Sequence, residues 1–497
     1  MARTIWVFGD QLNRRIGALA DAVPGEDVVL LVESRAKLDG VRHRQRTHLV
    51  VTAMRRFAAE LEDAGFEVDL RTAPTLASGL AAHRDQRRGT DVVATEPTSW
   101  DGRRLLERLD VASVRSNQFL CHEDEFAAWA DGRGARRLRM EDFYRTQRVR
   151  LGYLMDGGEP AGGRWNFDAD NQEPPPRTGD PWPSPVRSRL DAVDHAVLAE
   201  IGPSGFGDDP VGWWPTSRRQ ALARLRHAID EVLPAFGPHE DATVERNWHL
   251  AHTLLSPALN IGLLLPGEVC DAAEVAYREG RVPIASAEGF IRQVIGWREY
   301  VWGTYWRWMP GYRDRNALRA HAPLPPAFRD PAATEMRCVG HAARGVAERG
   351  WLHHIQRLMV LANLCTLAGV EPSEVVAWMT DSFVDGAEWV MLPNLIGMGL
   401  HADGGQMATK PYVSGGRYLA KMTDHCKPCR FDPTKRVGPD ACPYTTLYWD
   451  FLDRHRDRFA RDARMARSVQ GLDRLSDLAE VRIRAREVRA GLAAGTL

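Results

Sequence analysis

Three cysteines near the end of the chain have the spacing of a metal-binding site. Cys426 and Cys429 are separated by two residues in the run D-H-C-K-P-C-R-F-D-P, and Cys442 follows in the run A-C-P-Y. The C-x-x-C spacing turns both sulfurs inward on a tight loop, where they can bind one metal centre. Prolines beside or near each cysteine favour a stiff loop over a helix interior. From these residues alone, zinc and an iron–sulfur cluster are equally good interpretations.

The chain that must position these cysteines is long enough for two or three domains. Its 497 residues exceed one compact core, and its hydrophobic fraction of 44% is ordinary for a globular protein. No apolar run approaches membrane length, and the start M-A-R-T-I-W-V-F-G-D is typical of a strand rather than of a signal peptide. We therefore expect a cytoplasmic monomer with no membrane partner.

The other cysteines argue against a secreted disulfide-rich protein, and the net charge argues against long-range attraction to nucleic acid. Seven cysteines in a chain of this length do not form a secreted disulfide framework, and we expect Cys121, Cys270 and Cys365 to be small buried hydrophobes. The net charge of −1 attracts no nucleic acid over long range, although 65 Lys and Arg residues permit a local basic groove. We interpret the Arg-rich region 450–497 as a solvated face, with DNA contact as the alternative.

The first part of the chain alternates between strand and helix patterns. Apolar runs predict strands at 4–8, 28–32, 66–70, 91–95 and 111–115. Helical patterns lie between them, so we predict a parallel sheet with helices on both faces. This Rossmann-like α/β domain would span residues 1–135. No G-x-G-x-x-G occurs in it, so an ordinary dinucleotide site is not expected.

Three polar residues stand at the carboxyl ends of the first two predicted strands. They are Asp10 and Gln11 after the first strand and Glu33 after the second. Ligands of parallel sheets bind at these ends, so the three residues are candidate ligand contacts. The alternative, of nearly equal weight, is that they are turn and cap residues.

The sequence pattern changes at two places in the remaining two thirds of the chain. Gly, Pro and Asp are frequent from about 155 to 190, and we predict an interdomain linker over 136–210. From roughly 215 onward the periodicity is helical almost throughout, with no repeat of fixed period. We therefore predict a large all-α domain over 211–497.

This order of domains resembles the photolyase/cryptochrome family, and several motifs match. The run H-T-L-L-S-P-A-L-N-I-G is similar to the family's flavin-phosphate segment, with Thr253 and Ser256 as contacts. The runs L-H-H-I-Q-R-L-M and V-D-G-A-E-W resemble the helix and loop around the isoalloxazine, where Arg357 and Asp385 would form an ion pair. The resemblance covers essentially the whole chain and implies FAD as a cofactor held by the helical domain.

The resemblance also implies a site for damaged DNA. The run R-Q-V-I-G-W-R-E-Y looks like the segment against the flavin and the damaged base, with Gln293 and Trp297 as contacts. His354 matches the catalytic histidine of (6-4) photolyases, and His353 lies beside it. The second catalytic histidine of the eukaryotic enzymes falls on Leu358. Splitting the adduct returns a hydroxyl group and its proton between bases, and histidine suits that task.

The cysteines narrow the resemblance to the bacterial iron–sulfur branch, which includes prokaryotic (6-4) photolyases and deoxyribodipyrimidine photolyase-related proteins. Cys338, in E-M-R-C-V-G, stands where this branch has a fourth cysteine. The resemblance thus implies a 4Fe–4S cluster on Cys338, Cys426, Cys429 and Cys442. It also implies a 6,7-dimethyl-8-ribityllumazine antenna, for which Asp10, Gln11 and Glu33 are the candidate contacts.

Several aromatic residues are candidates for carrying electrons to the flavin. They are Trp378, Tyr418 and Trp389; the alternative for each is an ordinary place in the core. Asp330 and Met379 stand where the branch commonly has Trp and Tyr, so the usual relay is expected to be incomplete.

Two functions from different classes follow from the resemblance. The first is a DNA photolyase that reverses (6-4) photoproducts of UV-damaged DNA, with the lesion flipped towards the flavin and the backbone held on a basic rim. The second is a cryptochrome-type photoreceptor with the same cofactors. Met391 favours the second, because it occupies the position of an Asn or an acid facing flavin N5 and a thioether cannot donate a hydrogen bond. A third and weaker hypothesis is a light-independent iron–sulfur flavoprotein or a DNA-binding protein.

Overall fold

The N-terminal part of the chain folds as a five-stranded parallel sheet. The computed structural model describes residues 3–171, 173–176, 182–202 and 205–497. The strands stand in the order β3-β2-β1-β4-β5. Their bounds are β1 Arg3–Val7, β2 Val28–Ser34, β3 Glu67–Ala73, β4 Asp91–Thr95 and β5 Ala112–Val114; β6 Met155–Asp156 and β7 Glu159–Pro160 form a separate hairpin. The predicted α/β class with a large helical remainder is confirmed.

The apolar runs of the sequence mark the central strands well and the edge strand poorly. Every residue of β2 is buried, because helices cover both faces of the sheet. Strand β3 pairs with β2 from Glu67 to Ala73, beyond its predicted end at residue 70. Its second half is largely polar, since an edge strand is only partly covered.

Helices make up most of the rest of the molecule. Their bounds are α1 Gly17–Ala20, α2 Arg35–Leu38, α3 Arg44–Asp63, α4 Leu76–Gln86, α5 Trp100–Arg108, α6 Glu123–Asp131, α7 Met140–Leu151, α8 Ala192–Ile201, α9 Arg218–His227, α10 Ser256–Asn260, α11 Pro266–Arg278, α12 Ile284–Ile291, α13 Glu299–Trp308, α14 Arg337–Arg349, α15 Asn363–Ala368, α16 Pro372–Ser382, α17 Glu388–Pro393, α18 Gly416–Met422, α19 Pro443–Arg454, α20 Arg456–Phe459, α21 Ala466–Gln470 and α22 Leu478–Ala494. In the part of the chain that is described, no helix combines the length and the apolar character needed to cross a membrane.

Wider π turns interrupt the helical half in segments that carry candidate site residues. One π segment is Arg292–Arg298, which contains Gln293 and Trp297, and another is Gln356–Ala362, which contains Arg357. Because π turns widen a helix and re-aim its side chains, they are frequent at functional sites.

The predicted linker contains two helices and a hairpin among its described residues. Within 136–210, helix α7 packs on the π segment Arg292–Arg298, and α8 packs on α3. Arg148 on α7 is buried and donates to the backbone carbonyls of Tyr153 and Trp165, which fixes the course of the chain after the helix. Residues 172, 177–181 and 203–204 of this range lie outside the described residues.

The side of the sheet at the carboxyl ends of its strands contacts the helical half. The amide of Leu12, in the turn after β1, donates to the carbonyl of Ile261 over 3.0 Å, and the amide of His43 donates to the carbonyl of Asp381 over 2.9 Å. Buried side chains of both halves form one continuous apolar cluster. The sheet edge and the segments around 252–262 and 381–385 are therefore held in contact.

Candidate active site

A bidentate ion pair lies in the helical half. Nη1 and Nη2 of Arg357 donate to Oδ1 and Oδ2 of Asp385 over 2.9 and 3.0 Å. Oγ of Ser256 donates to Oδ2 of the same carboxylate over 2.7 Å. The fork geometry fixes the plane of the guanidinium group. One carboxylate thus joins the helix of Arg357, the loop of Asp385 and the start of α10.

The backbone just before Ser256 is strained. Leu250 and Leu254 have φ of +47° and +56°, a left-handed conformation that bulky side chains rarely adopt. Thr253 lies between them, half-buried, and its hydroxyl has no hydrogen-bond partner among the described residues. Strain of this kind persists where the surrounding structure enforces it. Backbone that alternates between right-handed and left-handed conformations can point its N–H groups at an anion.

Buried polar atoms near the ion pair have no partner among the described residues. They are Nε1 of Trp351, Oε1 of Gln356, Nε2 of His252 and Nδ1 of His353. Most buried polar atoms in folded proteins are hydrogen-bonded, so this concentration fits a site for a polar ligand. The residues present therefore fit a flavin, whose ring and phosphates offer both donors and acceptors.

Helix α17 brings two further candidates close to Asp385. Met391 and Trp389 are both buried. The ring of Trp389 packs edge-on against Phe119 with centroids 4.9 Å apart and against Trp302 at 5.9 Å. Trp389 therefore packs towards residues that connect the helical half to the N-terminal part of the chain.

His353 and His354 are adjacent in sequence and differ in environment. His353 is 2% exposed and stacks on His252, with ring centroids 4.7 Å apart and planes inclined by 16°. One of its ring nitrogens, Nε2, lies 3.2 Å from Oγ1 of Thr243. Burial, followed by the neighbouring imidazoles, holds the pKa of His353 well below its ordinary value, so the ring is neutral near pH 7.

His354 is the more accessible of the two. Its side chain is 46% exposed, and Nε2 lies 3.1 Å from Oδ1 of Asp241. Partial enclosure alone would lower the pKa of His354, but the hydrogen bond to Asp241 and the charge of Glu240 outweigh it and raise the pKa. His354 is therefore the better proton donor of the pair.

Two acids beside His354 carry no signal that singles them out in the sequence. Glu240 and Asp241 lie in a turn after Gly237 and Pro238, where acids are common. Burial raises the pKa of Glu240 to about 7, although His354 and Arg292 favour its charged form. Glu240 also accepts a hydrogen bond from Nε2 of Gln293 over 2.9 Å. Only the fold brings this turn against the histidines.

The three histidines resemble a metal site by distance but not by orientation. One nitrogen from each of His252, His353 and His354 lies within 4.8 Å of the others. A shared ion must lie close to the plane of every ring that binds it, because the nitrogen lone pairs lie in those planes. The stacked rings of His252 and His353 are nearly parallel, so their lone pairs do not converge. We interpret the three as a proton-handling group.

The four predicted cluster cysteines come together. Cys338 begins α14, Cys426 and Cys429 share one turn, and Cys442 caps α19. Burial, followed by the charges of the other three sulfurs, raises the pKa of the Cys338 thiol well above its ordinary value. Burial likewise raises the pKa of Cys426 and of Cys442 to about 11. Such a group is held as thiolates only when a cation or cluster compensates their charge, so the donor set fits a 4Fe–4S cluster.

The predicted electron carriers lie apart from one another. Trp378 is buried on α16 and packs edge-on against Phe328, with centroids 4.9 Å apart. Tyr418 is half-buried on α18, and burial, with the nearby charge of Asp241, raises its pKa to about 12. Met379 is buried beside Trp378, and Asp330 closes a turn by accepting from the amide of Ala332.

The predicted antenna residues lie at the sheet edge, where each already has a partner. Both oxygens of Glu33 accept from Arg55, over 2.8 and 2.9 Å, and one also accepts from Thr72. The hydroxyl of Thr98 donates to Asp10. The amide nitrogen of Gln11 donates to the carbonyl of Glu96 over 3.0 Å. These contacts fit turn and cap roles at least as well as ligand binding.

A residue that sequence reasoning missed lies in the same place. The side-chain amide of Gln118 donates to the carbonyl of Asp10, while its Oε1 is buried without a partner among the described residues. Gln118 is therefore better suited than Glu33 to meet a polar ring at this edge.

Known proteins resemble this chain over its whole length. A family model described as deoxyribodipyrimidine photo-lyase-related protein matches residues 5–208. A (6-4) photolyase of Agrobacterium fabrum is 37% identical in an alignment of 496 positions that covers 96% of this chain and 96% of that protein.

Solved structures show the same fold. A bacterial class III photolyase from Agrobacterium tumefaciens has a TM-score of 0.58 at 17% identity and covers 99% of this chain and 98% of its own. A cryptochrome from Synechocystis sp. PCC6803 has a TM-score of 0.57 at 13% identity and covers 82% of this chain and 83% of its own. With the near-complete match to the Agrobacterium fabrum enzyme, the chain therefore belongs to the photolyase/cryptochrome family, in its deoxyribodipyrimidine photolyase-related branch.

Proposed function

We propose that this protein is a light-dependent DNA photolyase that reverses pyrimidine (6-4) photoproducts. The observation that carries the proposal is the His354–Asp241 pair, which lies beside the orphaned polar atoms of the flavin pocket and remains accessible from outside. The relative that is 37% identical over 96% of this chain is a (6-4) photolyase.

Family membership implies FAD, and the helical half offers residues to hold it. Arg357 and Asp385 would lie beside the isoalloxazine, and Thr253, Ser256 and the strained backbone at Leu254 would hold the pyrophosphate. When bound in reduced form, FAD supplies the electron that blue light sends to the lesion. The ion pair of Arg357 and Asp385 would exclude water from the ring and fix its orientation.

His354 would perform the proton chemistry of repair. Reversing the adduct moves a hydroxyl group and its proton from one base back to the other, so one group must give a proton and take it back. The raised pKa favours the protonated form of His354 before the reaction, and Asp241 holds the ring through Nε2. His353, neutral and buried, would pack behind it and keep the helix in register.

A basic rim beside the pocket would hold the DNA. Lys410, Arg417 and Lys421 are exposed and form no ion pair or hydrogen bond with other described residues. Arg417 and Lys421 lie on α18 with Tyr418, and the end of this helix is bonded to the segment after Asp241 through the amide of Thr243 and the carbonyl of Met422. Cations without partners can neutralise phosphates without reading sequence. The lesion would then be flipped into the pocket against Gln293 and Trp297.

Two further groups belong to the proposal. Cys338, Cys426, Cys429 and Cys442 would hold a 4Fe–4S cluster that joins the final loop to α14 and α19. A 6,7-dimethyl-8-ribityllumazine antenna would bind at the sheet edge, where the turn after β1 contacts the flavin-phosphate segment. The hydrogen bond between Leu12 and Ile261 supports this placement, because energy transfer needs the two chromophores to be near one another.

The test compares two histidines that each pair with an acid. His354→Ala removes the proton donor, whereas His321→Ala removes an exposed histidine that pairs with Glu371 over 2.9 Å. With reduced protein and blue light, we expect the rate of (6-4) repair to fall at least about a hundredfold in His354→Ala, the usual value of an acid–base group. His321→Ala should match the parent. Loss of (6-4) product and of cyclobutane dimer is followed by chromatography.

The alternative is a photoreceptor of cryptochrome type, and Met391 is the observation that favours it. A buried thioether at that position offers no hydrogen-bond donor to tune the flavin. If protein that contains flavin and cluster repairs neither lesion under light, the photoreceptor replaces the photolyase as the better function.

A further inference from the structure

One contact in the lesion pocket joins a glutamine to an acid. Nε2 of Gln293 donates to Oε1 of Glu240 over 2.9 Å. A glutamine amide has donors at one end and an acceptor at the other, whereas a carboxylate only accepts. The charged form of Glu240 therefore requires the nitrogen end of Gln293 to face it, and Oε1 of Gln293 must point the opposite way.

Oε1 of Gln293 is left without a hydrogen-bond donor among the described residues. Glu240 is 9% exposed, whereas Gln293 is half-buried, and the Gln293 side chain makes no other hydrogen bond with the described residues. Trp297 follows Gln293 by four positions on the same π segment, so the two side chains share one face. His354 is close enough to Glu240 for its charge to act on that carboxyl group.

We propose that Glu240 is a positioning residue that fixes the Gln293 amide so that the pocket offers a hydrogen-bond acceptor to the lesion. The inference rests on the proposed function, because it assigns a recognition role within the same pocket. Its consequence is a preference for a ring edge that carries an N–H group. In a (6-4) photoproduct the saturated ring keeps its N3–H, whereas the pyrimidone ring presents a bare ring nitrogen. The saturated ring therefore faces Gln293.

The orientation depends on the charge of Glu240. When Glu240 is protonated, its own hydroxyl can donate to Oε1 of Gln293, and the amide is free to turn over. His354 and Arg292 favour the charged form, while burial, Asp241 and Asp168 oppose it, and the resulting pKa is about 7. Above this pH the acceptor is presented; as the pH falls through it, the acceptor is lost and lesion affinity falls with it.

The first experiment reads the amide directly in the full-length protein without DNA. With 15N-glutamine labelling, the side-chain signal of Gln293, assigned from its absence in Gln293→Leu, should shift between pH 6 and 8. The shift should disappear in Glu240→Gln, which cannot ionise. In Glu245→Gln it should remain, because Glu245 lies five positions away and pairs with Arg337 instead. A Gln293 signal that titrates unchanged in Glu240→Gln overturns the proposal.

The second experiment separates binding from repair. The dissociation constant for a (6-4) duplex is measured in the dark, and the repair rate is measured under light with DNA in excess. Loss of one charge-assisted orientation should weaken binding of Glu240→Gln roughly tenfold at pH 8 and abolish its pH dependence. Because the charge of Glu240 also raises the pKa of His354, the alkaline limb of the repair rate should move to lower pH in the same variant. Unchanged affinity, or a loss confined to the repair rate, overturns the recognition role.

The two experiments also separate this inference from the proposed function. If the Gln293 signal titrates as expected but the parent protein neither distinguishes lesion DNA from undamaged DNA nor repairs it, the proposed function fails while the Glu240–Gln293 coupling stands. If lesion DNA is bound and repaired and the signal does not titrate with Glu240, only the positioning role fails.

Discussion

Two arginines form bidentate pairs with carboxylates and connect parts of this molecule in different ways. At the sheet edge, Arg55 donates to both oxygens of Glu33 over 2.8 and 2.9 Å and to both oxygens of Glu200 over 2.7 Å. In the helical half, Arg357 donates to both oxygens of Asp385. The first arginine lies between two acids and ties β2 to helix α8. The second pairs with one acid, which also accepts from Ser256.

The groups around each ion pair, rather than the pair itself, distinguish a structural role from a ligand-binding role. Glu33 accepts three hydrogen bonds, two from Arg55 and one from Thr72. Around Arg357, several buried polar atoms lack partners among the described residues, and the backbone at Leu254 is strained. A buried ion pair is therefore weak support for a ligand site by itself, and becomes strong support when unpaired polar atoms accompany it.

The largest expected effect comes from breaking each pair in turn. Arg357→Met leaves the buried carboxylate of Asp385 without its cation, which should lower the free energy of unfolding by about 3 kcal/mol and release flavin. Arg55→Met should also lower the melting temperature, because Glu33 loses its cation, but should leave the flavin content unchanged. Flavin absorbance per chain and thermal unfolding are the measurements. Equal flavin loss in both variants would remove the distinction between the two pairs.

The next effect concerns two adjacent glycines at the cluster. A Cβ on Gly416 would lie 2.9 Å from Sγ of Cys442 and 3.0 Å from Cα of Pro433, whereas the nearest atom to a Cβ on Gly415 is 3.6 Å away. Gly416→Ala should displace Cys442 and destabilise the protein by about 1–3 kcal/mol. We expect less iron per chain in Gly416→Ala and parental iron in Gly415→Ala. Full iron content in Gly416→Ala would refute the assigned ligand set.

A smaller effect tests the acid beside the catalytic histidine. Asp241→Asn removes the charge that raises the pKa of His354 and leaves only a neutral acceptor in its place, so this pKa should fall. Repair requires the protonated ring, which is lost as the pH rises through that pKa. The alkaline limb of the repair rate should therefore move to lower pH, with the rate falling about tenfold per pH unit beyond it. In Asp424→Asn, which removes a nearby acid that bonds the amide of Glu245, the limb should stay in place.

The smallest effect concerns the proposed DNA rim. Lys421→Ala should weaken binding to any duplex about two- to threefold and reduce the slope of binding against salt by about 1, because one phosphate contact is lost. Lys37→Ala removes an exposed lysine near the sheet edge instead and should change neither quantity. The measurement is fluorescence anisotropy at several salt concentrations. Equal effects of the two variants would place the DNA elsewhere.

Periodicity and resemblance predict most of the fold and part of the site. The run V-V-L-L-V identifies β2 because a strand covered on both faces must be apolar throughout. The partnership of Arg357 and Asp385 was accessible through the ordered motifs of the family, since the two residues belong to runs that must lie together. Neighbouring helical positions point about 100° apart, so different surroundings are expected for His353 and His354, and the structure buries His353 while His354 stays accessible.

The remaining features depend on contacts between distant segments, which no local pattern encodes. Glu240 can position Gln293 only because its turn packs against that residue. Glu33 and Glu200 share Arg55 only because α8 brings Glu200 to that arginine. The polar half of β3 was missed because an edge strand needs no apolar face. The π turns were missed because one extra residue per turn leaves the apolar period nearly unchanged over a few residues.

The close approach of Gly416 to Cys442 has a consequence for how the protein matures. Helix α18 begins against that sulfur, carries Arg417, Tyr418 and Lys421 along its length, and ends bonded to the segment of Asp241. The proposed flavin contacts at Ser256 and Asp385 lie on other segments. If the four cysteines hold the proposed cluster, a chain made in an iron-poor cell would bind flavin but would bind damaged DNA poorly. Iron supply would govern how many molecules can repair, independently of how many can absorb light.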